Sequence, residues 1–334
     1  MAILVRNESG IWEIRGKTKD PLIYRNSVEK YLNCFDPLFE KAKNKSEFEF
    51  IFTLFRFRGL QDAGWDPWEN TLEAFDRLTR LKMKIRDFKT IRHLFLWLYG
   101  HIVEASEPYE TVANLINIID GKRFTGTNFP PKKIGKYIVP KSPSEKIDTL
   151  IKMATKINMS DSVFPFQDVF DRELRNAIFH SDYVLYGNEV RLPKVGTKVY
   201  SHDEIQSLIN KALAYFATFK NLISIHIKSY QSPKVISVHP EFDSDPRVKA
   251  KTIIRKGYGL AGLKDNWTID ELKKGEEIFR MGKFFKYEIE MLNKNPMLAV
   301  LPPNRIEKVN KVLKFLPKFL SRKILRILEK KKWI

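Results

Sequence analysis

Residues 171–183, which read D-R-E-L-R-N-A-I-F-H-S-D-Y, decide how this chain is interpreted. They place an arginine, Arg175, an amide, Asn176, and a histidine, His180, within six residues at the end of a helical pattern. Because a helix turns by about 100° per residue, Asn176 and His180 share one face, whereas Arg175 and His180 lie about 140° apart. Arg175 and His180 can therefore converge on one phosphate only if the helix ends near His180 or a second copy of the chain supplies the missing partner.

The residues that follow favour a helix end at this point. Two β-prone runs, 183–186 and 189–192, flank a Gly187-Asn188 pair, a pattern typical of a β-hairpin. Residues 142–145 and 201–204 have the Ser-x-x-Glu spacing of a capping box, so each predicts a helix start. The sequence thus predicts a mainly α-helical bundle with a hairpin inserted before its last helix.

Arginine and histidine without a carboxylate or cysteine cluster indicate phosphodiester chemistry that needs no metal and no cofactor. His180 can take the proton from a ribose 2′-OH or give one to the leaving oxygen, because histidine titrates near neutral pH. The Arg175 guanidinium can hold a phosphate and stabilise its developing charge. Asn176 can fix the phosphate or orient the imidazole. Alternatively, Arg175 pairs with Asp171 four residues earlier, and His180 only caps a helix C-terminus.

The string R-N-x-x-x-H, with an amphipathic helix before it and a hairpin and long helix after it, resembles the HEPN superfamily over roughly residues 87–230. Ribonuclease members of that family carry an R-x(4–6)-H motif. The resemblance implies a helical bundle that dimerises, so that two motifs form one metal-independent RNA-cleaving site. Arg175 and His180 would be catalytic and Asn176 auxiliary. A stress or phage-defence role, with an inhibitory or activating partner, is also implied. Some family toxins are modified on a tyrosine two residues after the histidine, whereas Tyr183 lies three after.

Composition and charge limit the class of protein. The 334 residues are 43% hydrophobic and can bury substantial cores, and 59 Lys and Arg against 40 Asp and Glu give a net charge of +19. Such a charge attracts polyanions, meaning RNA or an anionic membrane surface, although it also serves general solubility. The single cysteine, Cys34, excludes an intramolecular disulfide and a cysteine-rich zinc site. The sequence shows neither a signal region nor a run of apolar residues long enough to span a membrane, so we expect a cytoplasmic protein.

Four regions are predicted along the chain. Residues 1–86 form a mainly helical N-terminal region that opens with a small hairpin, and 87–232 form the HEPN-like bundle. Residues 233–304 form a mixed region. Residues 305–334 form a basic amphipathic tail, with eleven Lys and Arg against two Glu, which could rest on an anionic membrane, guide RNA, or dock on the body.

A polar set around the motif is predicted to support it. An apolar helical stripe runs over 88–119, and Pro108 is expected to kink this helix. His101 and Glu104, on the other face of the helix, could line the same cleft as His180, although a local pair on the helix surface would have the same spacing. Asp171 and Tyr183 flank the motif and complete this set.

A basic and aromatic loop, 121–141, is the predicted RNA contact, and Pro130-Pro131 and three glycines predict that it is irregular. It has six basic residues and no acidic one, with aromatic residues interleaved, which suits phosphates and stacked bases. The loop could equally be only solvated. The candidate RNA-binding residues are Lys122, Arg123, Phe124, Lys132, Lys133 and Lys136.

Three functions fit the sequence, and the first of them is the one that we predict. The first is a metal-independent endoribonuclease of HEPN type that cleaves single-stranded RNA. The second is a non-catalytic HEPN-like module that binds RNA or a nucleotide. The third is a peripheral membrane or interaction protein that uses the basic tail.

Overall fold

Helices fill most of the part of the chain that the structure, a computed structural model, describes: residues 3–6, 12–15, 20–56, 67–82, 84–194, 197–238 and 249–265. The mainly helical prediction is confirmed. The helices are α1 (Leu22–Lys45), α2 (Glu47–Phe55), α3 (Pro67–Lys82), α4 (Phe88–Glu104), α5 (Ser106–Ile119), α6 (Pro143–Lys156), a 3-10 helix (Ser160–Val163), α7 (Phe164–Val169), α8 (Arg172–His180) and α9 (His202–Lys228).

The strands form small antiparallel sheets. Their order confirms the opening hairpin, β1–β2, and the hairpin after the motif, β5–β6, to which β7 adds a third strand. The strands are β1 (Ile3–Arg6), β2 (Trp12–Arg15), β3 (Lys132–Ile134), β4 (Tyr137–Val139), β5 (Val184–Tyr186), β6 (Glu189–Leu192), β7 (Lys198–Tyr200), β8 (Val235–Ser237), β9 (Lys249–Arg255) and β10 (Gly259–Asp265). In the C-terminal sheet β9 lies between β8 and β10.

Side-chain caps explain where several helices begin. Ser142 and Ser201 each accept a hydrogen bond from the backbone N–H three residues on, and the glutamate there bonds back to the serine, so both predicted capping boxes are confirmed. Ser46 accepts from the backbone N–H of Glu49 in the same way. The alternating phenylalanines that follow would also suit a strand, but this cap starts α2 instead.

The hydrophobic core lies mainly between α1 and α9, with α4, α5 and α7 around them. Phe35 shows how this core is built, since its ring lies 5.9 Å from Phe166 and 5.9 Å from Phe219. Because Phe35 belongs to α1 and the other two to α7 and α9, one continuous core joins helices on both sides of residue 86. The described residues all belong to one compact unit, Met1–Arg56 with Pro67–Asn266.

Three local predictions were wrong. The stripe over 88–119 is two helices, because the chain breaks at Ala105, and Pro108 sits in the first turn of α5, where its missing N–H costs no helical hydrogen bond. The helical pattern that leads into the motif and contains it is likewise divided into two helices, α7 and α8, since Asp171 caps the start of α8. Loop 121–141 is not wholly irregular, because it contains the β3–β4 hairpin.

Part of the predicted organisation lies outside the described residues. This applies to the basic tail, 305–334, and to residues 266–304 of the mixed region. Within the described part of the chain, none of the helices has the length and apolar character needed to cross a membrane.

Candidate functional site

The start of α8 is fixed by Asp171. Its Oδ1 accepts a hydrogen bond from the Leu174 N–H at 2.9 Å, and its Oδ2 accepts from the Tyr200 hydroxyl at 2.7 Å. The Asp171 N–H donates to the hydroxyl oxygen of Tyr99 at 2.9 Å, and that hydroxyl donates in turn to the Val169 carbonyl at 2.9 Å. The N-terminus of α8 is therefore held between α4, which carries Tyr99, and β7, which carries Tyr200.

The end of α8 falls at His180, as predicted. Ser181 adopts a left-handed conformation, with φ of 56°, and the Asp182 N–H turns back to the Ala177 carbonyl at 2.8 Å. This reversal is typical of a helix C-terminus. It leaves the His180 side chain exposed on the last turn, directly before the β5–β6 hairpin.

Arg175 is held on the side of α8 that faces α4. Its guanidinium forms an ion pair with Glu104, and its Nη1 donates a hydrogen bond to Asn176 Oδ1 at 2.7 Å. The guanidinium carbon also lies 5.2 Å from the centre of the Phe179 ring. The alternative in which Arg175 pairs with Asp171 is therefore wrong. Glu104, expected near the motif, contacts its arginine directly.

The His180 side chain lies on the opposite edge of α8, where it lines an open cleft. A cleft of about 340 Å³ is lined by Arg172, Glu173, Asn176, Ala177, His180, Asp182 and Lys194. Asn176 connects the cleft with Arg175, because it lines the cleft and its Oδ1 accepts a hydrogen bond from Arg175. The described residues that line the cleft include neither Arg175 nor Glu104 nor His101. His101 is exposed on α4, one turn before Glu104.

Sequence reasoning missed Arg172 and Lys194, which bring two more cations to this cleft. The spacing of Arg172, Asn176 and His180, four residues each, was the signal that could have found Arg172, since such residues share one helix face. Lys194 follows β6 and reaches the cleft only through the tertiary fold. Its ammonium pairs with Asp182 at 2.6 Å.

Tyr183 is tied to α4 and not to the motif. Its hydroxyl lies 2.7 Å from His93 Nδ1, and burial raises the pKa of Tyr183. Arg92, one residue earlier on α4, donates through Nη2 to the Glu189 carbonyl at 2.8 Å and through Nη1 to the carbonyl of Gly187. These contacts seat the β5–β6 hairpin on the N-terminal half of α4.

The predicted RNA-binding loop divides into two parts, and the first part is packed against the body. Glu49, only 2% exposed, accepts a hydrogen bond from the Phe124 N–H at 2.8 Å and pairs with Arg123 at 3.4 Å. The Phe124 ring lies 6.1 Å from the ring of Phe52. Lys122 is exposed and pairs with Asp120. Arg123 and Phe124 thus have clear structural contacts.

The second part of the loop, the β3–β4 hairpin, is exposed. Lys133 and Lys136 project from it, and Lys132 pairs with Glu145 at the start of α6. Tyr137 and Ile138 on the same hairpin are 64% and 75% exposed. Of the predicted loop, this hairpin retains the mixture of cations and exposed apolar surface that suits a nucleic-acid contact.

An exposed apolar surface lies beside the motif. Its largest members are Trp97 at 57%, Phe179 at 51% and Val184 at 47% exposure. Phe179 packs over Gly100, one turn after Trp97 on α4. The His93 ring lies 6.1 Å from the Trp97 ring and 5.6 Å from the ring of Tyr183, the neighbour of Val184. These three exposed side chains, here called the motif patch, belong to α4, α8 and β5.

One group of described residues has ligand atoms close enough to hold a metal ion. Asp36 and Glu40 on α1 and His226 on α9 offer atoms that all lie within 4.8 Å of one another. Sequence reasoning missed this group, because it joins two distant helices. His226 is buried, with its ring 5.1 Å from Phe39 and 5.3 Å from Phe50, as expected for a core histidine. We assign no ion to it, and the absence of a metal cofactor stays a prediction.

In comparisons with known protein families, with curated proteins and with solved structures, nothing matched the chain.

Proposed function

We propose that this protein is a metal-independent endoribonuclease with a HEPN-like bundle, which cleaves single-stranded RNA. The observation that supports this proposal most directly is the position of His180 at the exposed end of α8. The helix ends at His180 and leaves its imidazole exposed on an open cleft, while Asn176 links that cleft to Arg175. An exposed histidine next to cations is suited to proton transfer at a phosphate.

In the proposed reaction His180 takes the proton from a ribose 2′-OH. The 2′ oxygen then bonds to the adjacent phosphorus, and the bond from phosphorus to the 5′ oxygen breaks. The leaving oxygen takes a proton from an acid, and the products are a 2′,3′-cyclic phosphate and a 5′-OH. Arg175 stabilises the charge on the phosphorane-like transition state. His180 of the partner subunit serves as the general acid, because each chain carries one motif and a dimer brings two of them together.

The placement of Arg175 supports a homodimer. Within one chain its guanidinium faces Glu104 on α4, whereas His180 opens on the other edge of α8. A second copy placed on the motif patch would bring another Arg175 and His180 to the same interface. Exposed aromatic side chains such as Trp97 and Phe179 are typical of interface centres. A separate activating or inhibitory partner, and a role in stress or phage defence, remain expectations from the resemblance.

A second function, RNA or nucleotide binding without cleavage, is favoured by one observation. Arg175 already has an acidic partner and an amide partner, so its charge is satisfied before any ligand arrives. In that case Arg175 stabilises the bundle, and the His180 cleft only binds a phosphate.

The experiment that tests the proposal is incubation of the pure protein with a labelled single-stranded RNA pool in EDTA. We expect the wild type to cleave and to leave cyclic-phosphate ends, and His180→Ala and Arg175→Ala to be inactive. His202→Ala, which changes an exposed histidine outside the motif, is the control and should cleave normally. Wild type that binds RNA without cleaving it, with binding unchanged in both motif variants, would refute the nuclease proposal.

A further inference from the structure

The His180 cleft contains a cation whose charge is not compensated by neighbouring acids. Arg172 lines the cleft and is exposed, and among the described residues no carboxylate pairs with it. The two acids of the cleft each have a lysine of their own. Glu173 Oε2 lies 2.6 Å from Lys198 Nζ, and Asp182 Oδ1 lies 2.6 Å from Lys194 Nζ. The guanidinium of Arg172 is therefore left to attract an anion from solution.

Asn176 is oriented so that it can serve the same anion. Its amide oxygen accepts the hydrogen bond from Arg175, at 2.7 Å, and Arg175 is in turn held by Glu104. With the oxygen occupied, the amide NH₂ is the group of Asn176 left to donate into the cleft. A guanidinium and an amide NH₂ along one edge of a helix are donors suited to phosphate oxygens.

The spacing along α8 decides which phosphate Arg172 can reach. Eight residues separate Arg172 from His180, which corresponds to a rotation of about 80° and a rise of about 12 Å along the helix. Both side chains thus lie on one edge of α8, but too far apart to grip a single phosphate. An RNA strand that lies along this edge presents different phosphates to the two residues.

We propose that Arg172 binds a non-scissile phosphate of the RNA strand whose scissile phosphate lies at His180, with the Asn176 amide donating to the strand between them. This inference rests on the proposed function for the identity of the strand. It makes Arg172 a binding residue and not a catalytic one, because its contact is the same before and during the reaction. The expected signature is a higher KM with an unchanged kcat, since such a contact binds the substrate and the transition state equally.

The test measures binding separately from cleavage. A short single-stranded RNA with 2′-O-methyl groups cannot be cleaved by 2′-OH attack, and its affinity is measured over a range of salt concentrations. We expect Arg172→Gln to weaken binding about tenfold and to reduce the slope of log K against log [salt] by about 0.7, the value for one phosphate contact on a single strand. Arg80→Gln, which removes an exposed arginine on α3, is the matched control and should change neither quantity.

Cleavable RNA then separates this inference from the proposed function. Arg172→Gln should raise KM about tenfold and leave kcat within about twofold of wild type, with an unchanged thermal melt. If wild type cleaves but Arg172→Gln keeps its affinity and salt slope, the nuclease stands and the role of Arg172 is refuted. If wild type does not cleave but Arg172→Gln loses the slope, the phosphate site stands and the nuclease fails. Wild type that does not bind the RNA, or an equal loss in Arg80→Gln, overturns the inference.

Discussion

Replacing Asp171 with alanine removes the acceptor that fixes the start of α8. Three donors lose a partner: the Leu174 N–H at 2.9 Å, the Tyr200 hydroxyl at 2.7 Å and the Lys198 ammonium at 3.5 Å. Loss of an aspartate N-cap costs about 1 kcal/mol. The Tyr200 hydroxyl, on a side chain 8% exposed, is left without its acceptor at a cost of about 1–3 kcal/mol. The Lys198 contact is long and partly exposed, so it adds little.

We therefore expect Asp171→Ala to lower the free energy of unfolding by about 2–4 kcal/mol. The measurement is urea denaturation followed by circular dichroism, with the m-value unchanged from wild type. Asp171→Asn is the control, because asparagine caps a helix about as well and keeps a polar group at Tyr200, so it should lose less than about 1 kcal/mol. In a double-mutant cycle, Asp171→Ala and Tyr200→Phe should together cost less than the sum of the two changes, since they remove one shared hydrogen bond.

The reasoning would be refuted if Asp171→Ala lost less than about 0.5 kcal/mol, the range of a surface substitution. It would also be refuted if Asp171→Asn were as unstable as Asp171→Ala, since the capping oxygen would then contribute nothing. Strict additivity of Asp171→Ala and Tyr200→Phe would show that the two residues do not interact, and α8 would have to be positioned by its buried face alone.

Three further predictions concern the surroundings of the motif. Hydrogen bonds from Lys132 and, second, from the Ser142 cap lower the pKa of Glu145 from 4.5 to about 2. These contacts therefore stabilise the fold above pH 4.5, and their contribution is lost as pH falls from 4.5 towards 2. Thermal melts at about pH 5 and about pH 3 should show a smaller acid-induced fall in Tm for Glu145→Gln than for wild type. Glu104→Ala should reduce the rate of RNA cleavage about tenfold or more, because it removes the partner that holds Arg175. Glu104→Gln should recover part of this rate. Equal activity in the wild type and both variants would contradict this role of Glu104. Phe179→Ser should shift the protein from dimer to monomer in sedimentation velocity, whereas Ile138→Ser, on the β3–β4 hairpin, should not.

Features set by a few neighbouring residues were predictable from the sequence. The capping boxes at Ser142 and Ser201, the end of α8 at His180 and the β5–β6 hairpin all depend on groups within a few positions of one another. The same local rules failed where two signals competed. Pro108 was expected to kink a long helix, but the chain already breaks at Ala105, so the proline lies in the first turn of a new helix.

Contacts between distant residues could not be predicted in this way. Glu104 and Arg175 are 71 positions apart, and Arg123 and Glu49 are 74 apart, so no periodicity connects them. The basic loop illustrates the consequence. Its composition suited RNA along its whole length, yet the buried carboxylate of Glu49 binds its first part to the body, and only the β3–β4 hairpin stays exposed.

The rotation of α8 explains why Arg175 and His180 lie on different sides of the helix. The helix has nine residues, and Leu174, Ala177 and Ile178 bury one face of it. Arg175 and His180 lie on the rest of the helix circumference, about 140° apart, so each borders a different side of the buried face. One side is bounded by α4, whose Glu104 holds the arginine, and the other opens into the cleft. A single chain thus cannot direct both groups at one phosphate without changing the Glu104 pair. In the proposed function a second copy therefore completes the catalytic pair, and the arginine that shares the cleft with His180 within one chain is Arg172.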